Sequence, residues 1–469
     1  MVRFTHLETP AHPMGACPVA CDGDGMQAIR EQRASTVSES AGLHSWPAEG
    51  RSARLAAAAR RESALFLLAT GAIAVHVVDD NFLQPQPGTS ARDHLVSGLV
   101  PLAMLALAAA TYSHLRAGLR ATIALTLGLL GTVAGAGEAG YYTIKIGPSG
   151  DDYTGLLAIP AGLLLMAVGV VTLWRTRRLE ETRRRRYLRR SLLGAVAAVV
   201  AVYVVFPVAS SYVYTHVARP GVPEANLGAP YDDVTLTTGD GVALAGWYVP
   251  SRNGATLIAF PGRSGPQPHA RVLVRHGYGV LLFDPRGEGE SEGDPYRWGG
   301  ERDVKAALAF LAGRPDVDRG RIGGLGLSLG GELLLQTAAE SNGLKAVVSE
   351  GAGMRSIREH IEKPGASKWL SVPAWATTTV ATAVFSNHAP PPDLTELVSE
   401  IAPRPVFFIY SGRPLGGEEL NRKFYAAAGE PKTLWKIGDA GHTDGLAAHP
   451  REYERRVIAF FDRALLQTR

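Results

Sequence analysis

A serine acts as a nucleophile where the backbone presents its hydroxyl and a neighbouring base can take its proton. One segment of this chain meets the first condition: Gly326-Leu327-Ser328-Leu329-Gly330 follows the apolar run Ile322 to Gly326 and precedes a helical stretch beginning near Gly331. Glycines flanking the turn remove side chains that would clash where a strand bends sharply into a helix, and the bend lifts the serine hydroxyl clear of the sheet. The N–H of Leu329, at the helix start, is the expected first donor to an oxyanion. A second is expected from the loop after the run Ala255 to Phe260. There Pro261-Gly262-Arg263-Ser264-Gly265 lets the backbone approach closely, and Arg263 supplies the N–H.

The base is sought among 13 histidines. His442, in Gly441-His442-Thr443, lies after the run Thr433 to Ile437 and before the last helical stretch, where the third member falls in the chain order serine, acid, histidine. His269, His276, His360, His388 and His449 read as surface or loop residues. The acid belongs after the run Val406 to Tyr410, and Glu418 and Glu419 both follow it. Either carboxylate could orient and stabilise an imidazolium. Glu418 is preferred because Glu419 begins to fall within the helical run through Tyr425, and Glu350, ending the preceding strand, is a third candidate. Serine, histidine and carboxylate in this order point to acyl transfer through a covalent serine intermediate, and they imply no metal and no organic cofactor.

These residues must be held by a scaffold, and residues 218–469 supply one. Val234 to Thr238 and Val242 to Val249 flank Gly239-Asp240-Gly241, a hairpin turn. Further β-rich runs follow at Ala255 to Phe260, Val280 to Phe283, Ile322 to Gly326, Ala346 to Ser349, Val406 to Tyr410 and Thr433 to Ile437. Helical stretches such as Glu301 to Ala312, Gly331 to Glu340 and Arg451 to Leu466 separate most of them. Strands alternating with helices predict an α/β domain with a mostly parallel sheet, covered by helices on both faces and edged by the antiparallel hairpin.

Phe283-Asp284-Pro285-Arg286-Gly287-Glu288-Gly289-Glu290-Ser291 resembles the D-x-R-G-x-G-x-S segment of the α/β-hydrolase superfamily, in its dienelactone-hydrolase-like, acyl-peptidase-like and thioesterase-like branch. The likeness extends over about residues 230 to 466. It implies that Asp284 and Arg286 shape their loop rather than do chemistry. It also implies a small cap, expected near 352–392, where Trp369, Leu370, Val372, Trp375 and Phe385 could cover an acyl chain or simply pack the lid. Two features depart from many relatives: Pro261-Gly262 stands where they have His-Gly, and glutamates stand where they have a triad aspartate.

The preceding half has a different character. Residues 1–60 mix Pro, Gly, Ser and scattered charge and read as a disordered tail, with Met14 and Met26 as alternative starts. Cys17 and Cys21 lack the second ligand pair a zinc site needs. Within 61–217, apolar runs at about 63–78, 95–113, 121–141, 154–174 and 191–214 approach the roughly 20 residues that cross a bilayer. They predict an all-α transmembrane bundle of about five helices, with the first span the weakest. Glu138 lies inside the third run with Gly131, Gly135, Gly137 and Gly140 around it, a pattern read as close helix packing. The basic loop at 175–190 carries nine arginines and should stay in the cytoplasm, which puts the C-terminal domain on the other side of the cell membrane. A net charge of +4, much of it in that cluster, argues against nucleic-acid binding.

The expectation is a multi-pass membrane serine hydrolase of the esterase, lipase or thioesterase type, cleaving a small-molecule or lipid-like acyl bond. The alternatives are a non-catalytic membrane receptor or scaffold keeping the fold, or a peptidase or acyltransferase built on it.

Overall fold

The structure is a computed structural model, and it describes residues 48–145, 147, 150, 152–175, 182–216, 221–295, 298–363, 365–413 and 415–467. The chain divides into two compact units, Met1–Arg61 and Glu62–Arg469. Of the first, residues 48–61 are described, and they open a helix running Ala48–Val78. Helix therefore begins inside the stretch expected to be tail. The rest of that stretch, with Met14, Cys17, Cys21 and Met26, lies outside the described residues.

Among the described residues, five helices are long and apolar enough to cross a membrane: α1 (Ala56–Leu83), α2 (Leu95–His114), α3 (Ala117–Gly140), α4 (Asp152–Arg175) and α5 (Arg183–Thr215). Two differ from their apolar runs. The helix of α1 continues past His76 to Leu83, carrying Asp79 and Asp80 with it. The arginines from 183 to 190 form the first turns of α5 rather than a loop, while residues 176–181 lie outside the described ones. Glycine sets the approach of α3 to its neighbours: a Cβ at Gly135 would sit 2.6 Å from the Gly155 carbonyl of α4, and one at Gly131 would sit 2.6 Å from Ile73 Cδ1 of α1. Without a side chain at Gly135, backbone meets backbone, and at Gly131 the Ile73 side chain takes the space.

Among the described residues, the C-terminal part carries eight strands: β1 (Asp232–Thr237), β2 (Ala243–Val249), β3 (Thr256–Phe260), β4 (Gly279–Phe283), β5 (Ile322–Leu327), β6 (Ala346–Glu350), β7 (Val406–Ser411) and β8 (Lys432–Ile437). They form one sheet in the order β1-β2-β4-β3-β5-β6-β7-β8. β2 is antiparallel to both neighbours and every later pairing is parallel. Strands β3 to β7 are buried along their whole length, which is why they read as continuous apolar runs, whereas the edge strands β1 and β8 are mostly exposed or half-buried. This is the α/β-hydrolase fold, preceded by a helical bundle.

Successive strand residues point to opposite faces, so the sheet has two cores. Phe408, with Phe260 and Phe283, packs under α7 (Glu301–Gly313), α8 (Leu329–Glu340) and α11 (Asn421–Ala427). Phe407, one residue away, packs on the other face under α6 (Gln267–Arg275) and α12 (Pro450–Phe461). Each such side chain stabilises the fold by about 1.5–3 kcal/mol of apolar burial. Where the cap was expected lie two helices, α9 (Ile357–Glu362) and α10 (Lys368–Phe385). α10 packs on the end of α5: Ser211 Oγ donates to the Thr378 carbonyl at 3.2 Å, and Thr382 Oγ1 donates to Ser211 Oγ at 3.1 Å. The loop between α1 and α2 also meets the hydrolase, through Gly293 N–H to the Pro87 carbonyl at 2.8 Å and His94 Nε2 to Asp294 Oδ2 at 3.5 Å.

Candidate active site

Strand β5 delivers Ser328 into a conformation that side chains rarely adopt, φ 52° and ψ −122°. Ser328 N–H donates to the Glu350 carbonyl at 2.7 Å, so the neighbouring strand β6 holds the turn in place. Space there is minimal. A Cβ on Gly326 would lie 2.5 Å from the Gly330 backbone, and one on Gly330 would lie 2.3 Å from the Phe260 carbonyl. The local G-x-S-x-G pattern is therefore what lets strand, turn and helix close on one another.

Three sequence-selected side chains meet at this turn. Ser328 Oγ lies 2.9 Å from His442 Nε2. His442 Nδ1 is hydrogen-bonded to Glu418 Oε1. Ser411, ending β7, donates to the other Glu418 oxygen from its N–H at 3.0 Å and its Oγ at 2.7 Å. The sequence reading passed over Ser411; its one signal was its place as the first residue beyond the apolar run. The alternatives lie elsewhere. Glu419 pairs with Lys363 at 3.4 Å, and Glu350 accepts from Tyr453 Oη at 2.6 Å and Gly445 N–H at 2.9 Å.

The electrostatics fit a proton relay. Burial pushes the Glu418 carboxyl up, but hydrogen bonds from His442 and Ser411 outweigh it and hold the group below the usual carboxylate range. The hydrogen bond to Glu418 raises His442 above the ordinary histidine value, against the opposing effect of its burial. A neutral His442 is placed to accept the Ser328 proton, and the ion so formed faces a carboxylate that stays charged.

Of the two expected oxyanion donors, Leu329 opens α8, where first-turn amides have no acceptor within the helix. Arg263 is a correction. Its N–H donates to Asp284 Oδ1 at 2.8 Å, and its guanidinium grips Asp284 Oδ2 at 2.7 Å, so Asp284 takes the amide that was assigned to an oxyanion. Asp284 and Arg286 tie down their loop, as the resemblance implied: Arg286 Nε donates to the fully buried Asp303 at 2.8 Å and its Nη1 to Asp240 at 2.8 Å. Two histidines read as surface or loop residues are also corrected. His269 and His360 are both buried, one on the apolar face of α6 and the other in α9 against Ser371 and Trp375 of α10.

The serine opens into a cleft of about 520 Å³. Its floor is Ser328 and His442, one wall is Trp375, Thr378 and Thr382 of α10, and another is Tyr214 and Thr215 at the end of α5. Helix α5 therefore contributes directly to the cleft.

A family described as X-Pro dipeptidyl-peptidase (S15 family) matches residues 199–435. An uncharacterized protein of Mycobacterium tuberculosis is 31% identical over 262 residues, covering 53% of this chain and 87% of its own. The uncharacterized protein YfhR of Salmonella typhi is 27% identical over 303 residues, covering 61% of this chain and 98% of its own. Among solved structures, the Pyrococcus furiosus esterase Pf2001 aligns at 24% identity with a TM-score of 0.44, over 53% of this chain and 98% of its own.

Proposed function

The chain belongs to the X-Pro dipeptidyl-peptidase (S15) family, and from that premise we propose that it is a membrane-anchored serine hydrolase that cleaves a carboxylic ester or related acyl bond through an acyl-enzyme on Ser328. The observation that carries this reading is the unbroken line from Ser328 Oγ through His442 to Glu418 at the floor of an open cleft. His442 takes the Ser328 proton as Oγ attacks the carbonyl, the Leu329 amide receives the developing charge, and His442 returns the proton to the leaving group. Water then repeats the sequence to release the acid.

The substrate proposed is lipid-like. The cleft is walled by the end of a span, and the opposite side of α10 faces an apolar cavity of about 580 Å³ bounded by α1, α2, α3 and α5. A second reading, peptide cleavage, is favoured by the family's description alone. The hydrolase domain is proposed to lie outside the cytoplasm. Nine arginines between 175 and 190 hold that end of α5 inside, and alternation then puts the α1–α2 loop on the same side as the hydrolase it touches.

Labelling of the full chain by a fluorophosphonate, lost on Ser328→Ala, is expected. Absence of labelling under conditions where the protein is folded leaves the non-catalytic scaffold standing instead. A panel of long-chain esters, thioesters and prolyl peptides then separates the two enzymatic readings. The full chain is needed, because a fragment beginning near Gly221 lacks Tyr214 and Thr215.

A further inference from the structure

Among the described residues outside the Ser328 cleft, one cluster of metal-ligating side chains lies where three of the apolar helices end. Asp80 near the end of α1, Glu138 near the end of α3 and His216 just after α5 each offer a ligand atom, and these atoms lie within 4.8 Å of one another. We propose that this cluster is a binding site for one divalent transition-metal ion, of the Zn²⁺ class, clamping the three helices beside the hydrolase.

Four features support it. The donor set is mixed: two carboxylates with an imidazole suit a borderline ion better than Mg²⁺ or Ca²⁺, which favour oxygen alone. Each ligand is also held from behind by a partner, the usual arrangement around a bound metal. The Tyr212 carbonyl can only accept, so its 2.9 Å contact with His216 Nδ1 puts the proton on that nitrogen and leaves the Nε2 lone pair to bind. Tyr212 Oη donates to Glu138 Oε2, and Asn81 Nδ2 donates to Asp80 Oδ2 at 2.7 Å. One residue, Tyr212, thus orients two of the three ligands. Third, Asp80, Glu138 and His216 line a cavity of about 30 Å³, the size of one ion or water. Fourth, buried His76 lies beside the cluster, its Nε2 3.8 Å from Glu138 Oε2. A bonded ion with ligand distances of about 2.0–2.1 Å would draw the ligand atoms in to roughly 3.4 Å from one another.

The position gives the ion a consequence. Thr215 borders both this cavity and the Ser328 cleft, so the clamp sits directly behind the cleft wall that α5 provides. It depends on the helix ends and not on the serine, and Ser328→Ala is expected to bind the metal as the unaltered chain does.

The test is metal content and affinity of the full chain, purified in detergent without chelator. Elemental analysis is expected to find close to one equivalent of transition metal. After chelation and dialysis, titration with Zn²⁺ should restore one equivalent with a Kd below about 1 μM. Co²⁺ in its place should give the visible absorption of a low-symmetry site with nitrogen and oxygen ligands. Glu138→Gln and His216→Gln should each weaken binding at least about tenfold, and Tyr212→Phe by roughly 10–100-fold through loss of the hydroxyl that holds Glu138, the carbonyl contact to His216 being kept. The unaltered chain decides the matter even if a variant misfolds: no stoichiometric Zn²⁺ and no Co²⁺ spectrum overturns the site. Stoichiometric binding untouched by all three substitutions overturns this location for it.

Discussion

Replacing Glu418 with glutamine keeps the side chain's shape but removes the charge that faces the His442 imidazolium. kcat/KM is expected to fall by about 10³–10⁴. Glu419→Gln, which disturbs only the contact with Lys363, should stay within roughly tenfold. The two variants also differ in pH profile. The base must be neutral to accept a proton, and His442 is raised above the ordinary 6.5, chiefly by its bond to Glu418. Activity of the unaltered enzyme should therefore fall as pH drops through a value above 6.5, and Glu418→Gln should move that limb toward acid. An unmoved limb in Glu418→Gln rules out this carboxylate as the partner of His442. The residue scale is also where sequence reading was weakest. Glu418 and Glu419 are adjacent and alike, and only the turn of the chain after β7 decides which one points at the histidine. The fate of the Arg263 amide depends on Asp284, a partner on the next strand that no local pattern names. Asp80, Glu138 and His216 are brought together by helix packing alone, so no ligand spacing announces them.

Elements were far more legible, because period and burial write themselves into the sequence over many residues at once. All eight strands fall within a residue or two of apolar runs, and the Gly239-Asp240-Gly241 turn lies between the first two. Ends that carry charge were harder: the helical arginines opening α5 and the carboxylates closing α1 continue helices beyond their apolar runs. Two predictions belong to this scale. Gly330→Ala puts a Cβ 2.3 Å from the Phe260 carbonyl and must push β3 and the elbow apart, so fluorophosphonate labelling of Ser328 should slow by about 10²-fold. Asp303→Ala removes one partner of a buried pair, a change that costs about 3–5 kcal/mol. Asp240 remains on the same guanidinium, so the lower end is expected, a fall in Tm of roughly 6–12 °C by thermal unfolding.

For the whole molecule, sidedness is the first test. Protease added to intact spheroplasts should degrade the hydrolase while a reporter inserted at Thr182 stays protected, because arginines resist translocation. A hydrolase protected until the membrane is broken would reverse the topology and leave the chemistry standing. The contact of α10 with α5 carries a further consequence. Helix α5 forms one wall of the cleft, so under the proposed function, with α5 in the membrane and a lipid-like substrate, substrate would meet the enzyme by diffusing in two dimensions, and its relevant concentration would be its mole fraction in the surface. Diluting a long-chain ester with inert detergent, at constant bulk concentration, should then lower the rate in proportion. A short, water-soluble ester should be indifferent to the same dilution.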